Sequence, residues 1–131
     1  MTTAKIHGVG IDAVSIERMD SDRMGTHVLN RMFHPTEVAQ AMAMEQGRAQ
    51  FLASRFAAKE ALVKALGTGF RGISPSEIAV KVNAIGKPEI GLEAGILERL
   101  GFDAIVIHLS LTHEGPLAIA FVVVEEIDGA F

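Results

Sequence analysis

Three residues carry most of the chemistry this sequence offers: Asp12 in "VGIDAV", and Glu60 and Lys64 in "RFAAKEALVKALGTGFRG". An aspartate among apolar, strand-forming neighbours runs against β-propensity. It can cap the element that follows, or it can hold a metal. Asp12 together with Glu60 suits Mg²⁺, which is held by one or two carboxylates plus substrate phosphates and water. Lys64, one helical turn beyond Glu60, would then face the same phosphates as a point charge. A plainer account competes: Glu60 and Lys64 as an i,i+4 surface ion pair, worth about 0.2–0.5 kcal/mol.

Other motifs lead to less. "GTGFRG" spells G-x-G-x-x-G, but that pattern binds a dinucleotide only when it follows a strand and opens a helix. Here it follows a helix, so a dinucleotide fold is rejected. Gly67 reads as a helix stop, while Gly69 and Gly72 leave room for a ligand near the backbone. Of five histidines, His108 and His113 stand on one strand with odd spacing, hence on opposite faces. They cannot share a zinc ion, and the chain has no cysteine. His113, at a strand-to-turn junction, is the better single candidate. Ser110 and His113 lack a nucleophile elbow, which argues against a hydrolase.

The elements that must position these residues follow from pattern. "KIHGVGIDAV" predicts a strand ending near Asp12. "SIERMDSDRMGTHVLNRMF" predicts a broken helix capped by Ser15, with Ile16, Met19 and Met24 as a partial apolar face. "HPTEVAQAMAMEQ" predicts a helix with Pro35 in its first turn. The long helix spans Arg48 to Leu66, between Gly47 and Gly67. At 100° per residue, Phe51, Leu52, Phe56, Leu62, Val63 and Leu66 form a broad apolar arc, and Arg55 and Lys59 fall inside it. Buried charges require partners. "SEIAVKVN" and "EIGLE" predict a hairpin about "GKP", "AGILERLG" a short helix, and "AIVIHLSLTH" and "LAIAFVVVEE" two strands about "HEGP". The result is an α+β domain covering 1–131.

Composition agrees. The chain has 131 residues, 49% of them hydrophobic, with a net charge of −4. That suits one domain with a real core and argues against a general nucleic-acid binder. No apolar run reaches the length of a membrane span, no signal peptide is read, and the absence of cysteine suits the cytoplasm.

Taken in order, "GVGIDAVSIERM", "FLASRFAAKEALVKALGTGFRGISPSEIAV", "GKPEI" and "IHLSLTHEGPLAIAFVVVE" resemble the bacterial holo-[acyl-carrier-protein] synthases across nearly the whole chain. The resemblance implies a 4′-phosphopantetheinyl transferase acting on coenzyme A and apo acyl carrier protein. It implies a small antiparallel sheet wrapped around a long central helix, in a homotrimer with sites at subunit interfaces. It implies Mg²⁺ on Asp12 and Glu60, with Lys64 stabilising the pyrophosphate. Coenzyme A contacts are expected from Arg55, Lys64, Gly67, Thr112 and His113, the last from a neighbouring subunit. The serine proton would pass to Glu60 through a water, or to a hydroxide without it. Arg18, rather than Arg23 or Arg31, would dock the carrier protein. A trimer would also explain Arg55 and Lys59 within the apolar arc. Two positions depart from the family: Ala13, where a larger aliphatic is usual, and His34, where threonine is usual. The rival reading is a non-catalytic coenzyme A- or nucleotide-binding oligomeric subunit, which would need neither Asp12 nor Glu60. A purely structural oligomerising domain would leave Asp12 and Lys64 idle.

Overall fold

The computed structural model describes residues 2–20 and 24–129. β1 (Thr2–Ser15) pairs antiparallel with β5 (Leu117–Gly129), and β5 pairs in turn with β4 (Ile105–Glu114). β4 and β5 meet across the turn at Gly115 and Pro116. β2 (Ile78–Val82) and β3 (Pro88–Leu92) form a second, two-stranded sheet. The helices are α1 (Thr26–Met32), α2 (Pro35–Ala43), α3 (Arg48–Leu66) and α4 (Ile96–Leu100). The α+β expectation therefore stands, with the strands divided between two sheets.

Local chemistry explains most boundaries. α3 starts and stops where expected, because Gly47 and Gly67 both take positive φ, at 77° and 83°. His34 caps α2: its ring accepts from the Thr36 N–H, while Glu37 accepts from the His34 N–H at 3.0 Å. Two expectations fail near the N-terminus. β1 does not end at Asp12 but continues to Ser15, because β5 offers partners as far as Leu117. Ser15 makes no side-chain cap, and Ile16–Met19 is a short 3₁₀ turn.

α3 is the centre of the core. Its arc residues Leu52, Phe56, Leu62, Val63 and Leu66 are buried, and so are Ala53, Ala57, Ala58, Ala61 and Ala65. The helix is thus covered nearly all round. The small residues let β1 run against it: a Cβ on Gly8 or Gly10 would collide with the carbonyl oxygens of Ala65 and Ala61 respectively. Gly10→Ala should therefore lower stability by at least the usual overpacking cost of about 1–3 kcal/mol. Urea unfolding at fixed protein concentration measures this, and an unchanged midpoint would refute the close approach.

Lys59 is fully buried, and it needs no second subunit to explain it. Its ammonium pairs with the equally buried Glu37 at 2.6 Å. It also donates to the carbonyl oxygens of Pro75, at 3.1 Å, and Ile78. The trimer explanation of Lys59 is therefore corrected. The partner comes from α2 of the same chain.

The main sheet has two unlike faces. Ala118, Ala120, Val122 and Val124 of β5 are buried in the core with Val14 of β1. On the opposite face Ile6, Val9 and Ile11 of β1 are 65%, 56% and 61% exposed, and Val106 and Phe121 stand beside them. No element of the described chain covers this apolar face.

Candidate active site

β1 and α3 bring the expected chemical residues together. Asp12 lies on the face of β1 that meets the helix. Lys64 Nζ donates to Asp12 Oδ1 at 2.8 Å and to the Ile11 carbonyl at 3.0 Å. The i,i+4 pair with Glu60 is not what Lys64 makes; the strand crossing the helix offers a nearer carboxylate. The Glu60 carboxylate has no hydrogen-bond partner among the described residues. Burial lifts its carboxyl above the usual glutamate range, and the negative charge of Asp12 lifts it further, against the pull of Lys64 and Arg18. The hydrogen bond to Asp12 holds the Lys64 ammonium above the usual lysine range. Asp12, Glu60, Lys64 and Arg18 thus form one electrostatic group drawn from three segments.

This group can hold a divalent cation. No cluster of three or more His, Cys, Asp or Glu occurs among the described residues, so a cage made of protein alone is not the pattern. Two neighbouring carboxylates are, and they match the way Mg²⁺ is held when phosphates and water complete its shell. The charge penalty that Asp12 places on Glu60 is the penalty a cation would relieve.

A cleft of about 490 Å³ opens beside Glu60, lined by Val28, Arg31, Met32, Phe56, Phe70 and Pro75. Phe56 and Phe70 stack at 6.5 Å between ring centroids. Sequence reasoning missed this cleft and gave Arg31 no part in the site. The spacing of Val28 and Met32 on α1, four apart with Arg31 between, is the signal that was available. A larger groove of about 540 Å³ lies between β3, α4 and β4. None of the expected site residues lines it, and Glu93, Glu98 and Asp103 on its wall would repel phosphate.

The remaining expected residues are scattered. Gly67 caps α3, its N–H directed to Val63 and Lys64 carbonyls, and the Thr68 and Gly69 N–H groups also turn back to Val63. That loop offers no ring of free N–H groups, in keeping with the rejected dinucleotide motif. Arg55 lies about 140° around the helix from Glu60. Its guanidinium sits 4.3 Å from the Phe51 ring, and its buried Nε lacks a partner. Burial holds Arg55 below the usual arginine range. Thr112 and His113 are both exposed near the end of β4. Thr112 pairs with Ile119 and His113 with Ala118, so they point to opposite faces. β4 runs without a break through His108, whose ring meets Glu125 at 2.5 Å, so the two histidines do lie on opposite faces. Arg18 and Arg31 are exposed; Asp22 and Arg23 lie outside the described residues.

Comparison with known proteins gives the same answer from several directions. A sequence model of the 4′-phosphopantetheinyl transferase superfamily matches residues 8–122. The holo-[acyl-carrier-protein] synthase of Halothermothrix orenii is 42% identical, over 92% of this chain and 98% of that protein. The crystal structure of the Neisseria meningitidis holo-[acyl-carrier-protein] synthase superposes with a TM-score of 0.80 at 34% identity, covering 92% of this chain and 98% of that one. A holo-(acyl-carrier-protein) synthase from Bacillus anthracis, solved in complex with CoA (3′,5′-ADP), gives 0.76 at 32% identity over 92% and 97%. Since the match runs from the strand that carries Asp12 through the helix that carries Glu60 and Lys64 to the last hairpin, this chain belongs to the 4′-phosphopantetheinyl transferase superfamily, among its holo-[acyl-carrier-protein] synthases.

Proposed function

We propose that Asp12, Glu60 and Lys64 carry out the family's reaction in this chain. The 4′-phosphopantetheine of coenzyme A is transferred to a serine of an apo acyl carrier protein. The serine oxygen attacks the β-phosphorus of the pyrophosphate. The bond from that phosphorus to the bridging oxygen breaks, and adenosine 3′,5′-bisphosphate leaves. The observation that carries this reading is the convergence of two carboxylates and a lysine from β1 and α3 beside an open cleft.

Each side chain has a distinct part. Asp12 and Glu60 would hold Mg²⁺, which supplies charge neutralisation at the phosphates when bound. Lys64, more than half exposed, turns toward the leaving phosphate and stabilises negative charge as it develops. Glu60, which lines the cleft, would take the serine proton through a water, since a carboxylate that holds Mg²⁺ is itself a poor base. Gly67 leaves open space beside Lys64 for coenzyme A, since nothing stands within 4 Å of where its Cβ would be. For Arg55 and Thr112 the coenzyme A contacts rest on the family resemblance alone, and the exposed His113 would meet the coenzyme A bound by a neighbouring copy.

The uncovered sheet face supports the homotrimer. Soluble proteins rarely leave so apolar a face to water, and Ile6, Val9, Ile11, Val106 and Phe121 form one. Two further copies of this chain are its occupants in this reading. No helix among the described residues is long and apolar enough to cross a membrane, and we place the reaction in the cytoplasm.

Arg18 stands at the edge of the site, where its charge reaches Glu60. An acidic carrier protein would meet it on the way to the cleft. Arg18→Ala should raise the KM for carrier protein about fivefold, the worth of one exposed ion pair, and leave the KM for coenzyme A unchanged. Steady-state kinetics with each substrate varied in turn checks this; an effect on coenzyme A alone would place docking elsewhere. The reading as a whole is tested by intact mass of an apo acyl carrier protein after incubation with the protein, coenzyme A and Mg²⁺. A gain of one phosphopantetheine that EDTA prevents is expected. No gain with several carrier proteins would favour the non-catalytic binding subunit.

A further inference from the structure

Lys59 and Glu37 are the buried charged side chains among the described residues, and the reaction uses neither. They form a closed network. The three N–H bonds of Lys59 meet Glu37 Oε1 and the carbonyl oxygens of Pro75 and Ile78. Glu37 Oε1 also accepts from the His34 N–H, and Oε2 accepts from the Val80 N–H at 2.9 Å. Nothing in the network is left over for a ligand. Burial pushes the Lys59 ammonium below the usual lysine range, with Glu37 pulling it back.

The network has a direction that the surrounding packing lacks. Apart from Lys59, α3 is buried through five alanines and five larger apolar side chains, and hydrophobic contact is non-directional. Apolar contact alone sets no particular position for residues 75–80 against the helix. Three oxygens placed around one ammonium do set one. Lys59 precedes Glu60 in the chain, and Pro75, whose carbonyl accepts one of its hydrogen bonds, is a wall of the cleft beside Glu60. Buried ion pairs can often be replaced by apolar pairs without loss of stability, so stability alone does not account for this one.

We propose that Lys59 and Glu37 are positioning residues for phosphopantetheinyl transfer. They pin Pro75, Ile78 and Val80 to α3, and so fix where the cleft wall at Pro75 stands relative to Glu60. They touch no substrate, and the proposal rests on the reading of Glu60 as a catalytic residue.

The test removes both charges together. The double variant Lys59→Met, Glu37→Gln leaves no unpaired charge. It should fold, assemble as the wild type does and bind coenzyme A within about threefold of the wild type by calorimetry. Its kcat should nevertheless fall by about 30- to 100-fold, the scale expected when reacting groups are displaced by about 1 Å. Glu37→Asp keeps both charges and shortens the link by one methylene; it should show the same split of kcat from binding at smaller amplitude. A folded double variant with wild-type kcat would overturn the proposal. A double variant that does not fold would overturn it too, since the pair would then serve the fold itself. A loss of kcat matched by an equal loss of coenzyme A binding would also count against it. Wild-type protein that modifies no carrier protein would instead remove the transferase reading on which the proposal stands.

Discussion

Glu60→Gln and Asp12→Ala should each reduce phosphopantetheine transfer by about 10³-fold, the scale set by removing one preorganised charge from a reacting centre. The fold should survive both changes. The Glu60 carboxylate makes no hydrogen bond among the described residues, so an amide in its place leaves no former partner unpaired. Asp12 is bonded to Lys64, but Lys64 is more than half exposed and regains water when the carboxylate goes. Initial rates from intact mass, with circular dichroism melts as the control, separate chemistry from folding. Near wild-type turnover in either variant would sink the assignment of these carboxylates as the Mg²⁺ ligands. A loss is expected in both, because a cation held by a pair of carboxylates needs each of them.

Lys59→Met alone should have the largest effect on stability, about 3–5 kcal/mol, as for other buried ion pairs broken on one side. Glu37 would keep a buried negative charge, and the carbonyl oxygens of Pro75 and Ile78 would lose their donor. Against a typical total of about 5–15 kcal/mol, such a loss leaves little native protein at 37 °C. Denaturant unfolding at two protein concentrations checks it. The loss should be the same at both, because Glu37 belongs to the same chain. A loss confined to the lower concentration would restore the subunit-interface explanation of Lys59.

That explanation shows where the sequence was legible and where it was not. Local signals were reliable. Gly47 and Gly67 bracket α3 because only glycine takes their backbone conformation cheaply, and alternation marks β4 and β5 because one face of each is buried. Contacts between distant segments were not. A charge inside an apolar arc says that a partner exists but not where it is, and Glu37 looks like any first-turn glutamate until α2 is folded against β2. Helical spacing shows Glu60 as a possible partner for Lys64, whereas the crossing of β1 that supplies Asp12 as its actual partner is not visible in the sequence. The cleft beside Glu60 draws on α1, α3 and the loop at Phe70, and no single stretch announces it. The β2–β3 hairpin was readable as a hairpin, but nothing local says that it stands apart from the main sheet.

The contact of Gly10 with the backbone of Ala61 has a consequence for how this protein can change over time. Glu60 precedes Ala61, and Asp12 lies two residues beyond Gly10. The separation of the two carboxylates is therefore set by main chain against main chain, a dimension that no exchange of side chains elsewhere in the core can stretch. Sequence drift in the rest of the interior can erode stability while the spacing of the acids stays put. Evolution is left free to vary the outer parts, such as the docking face, around a reaction centre of constant gauge.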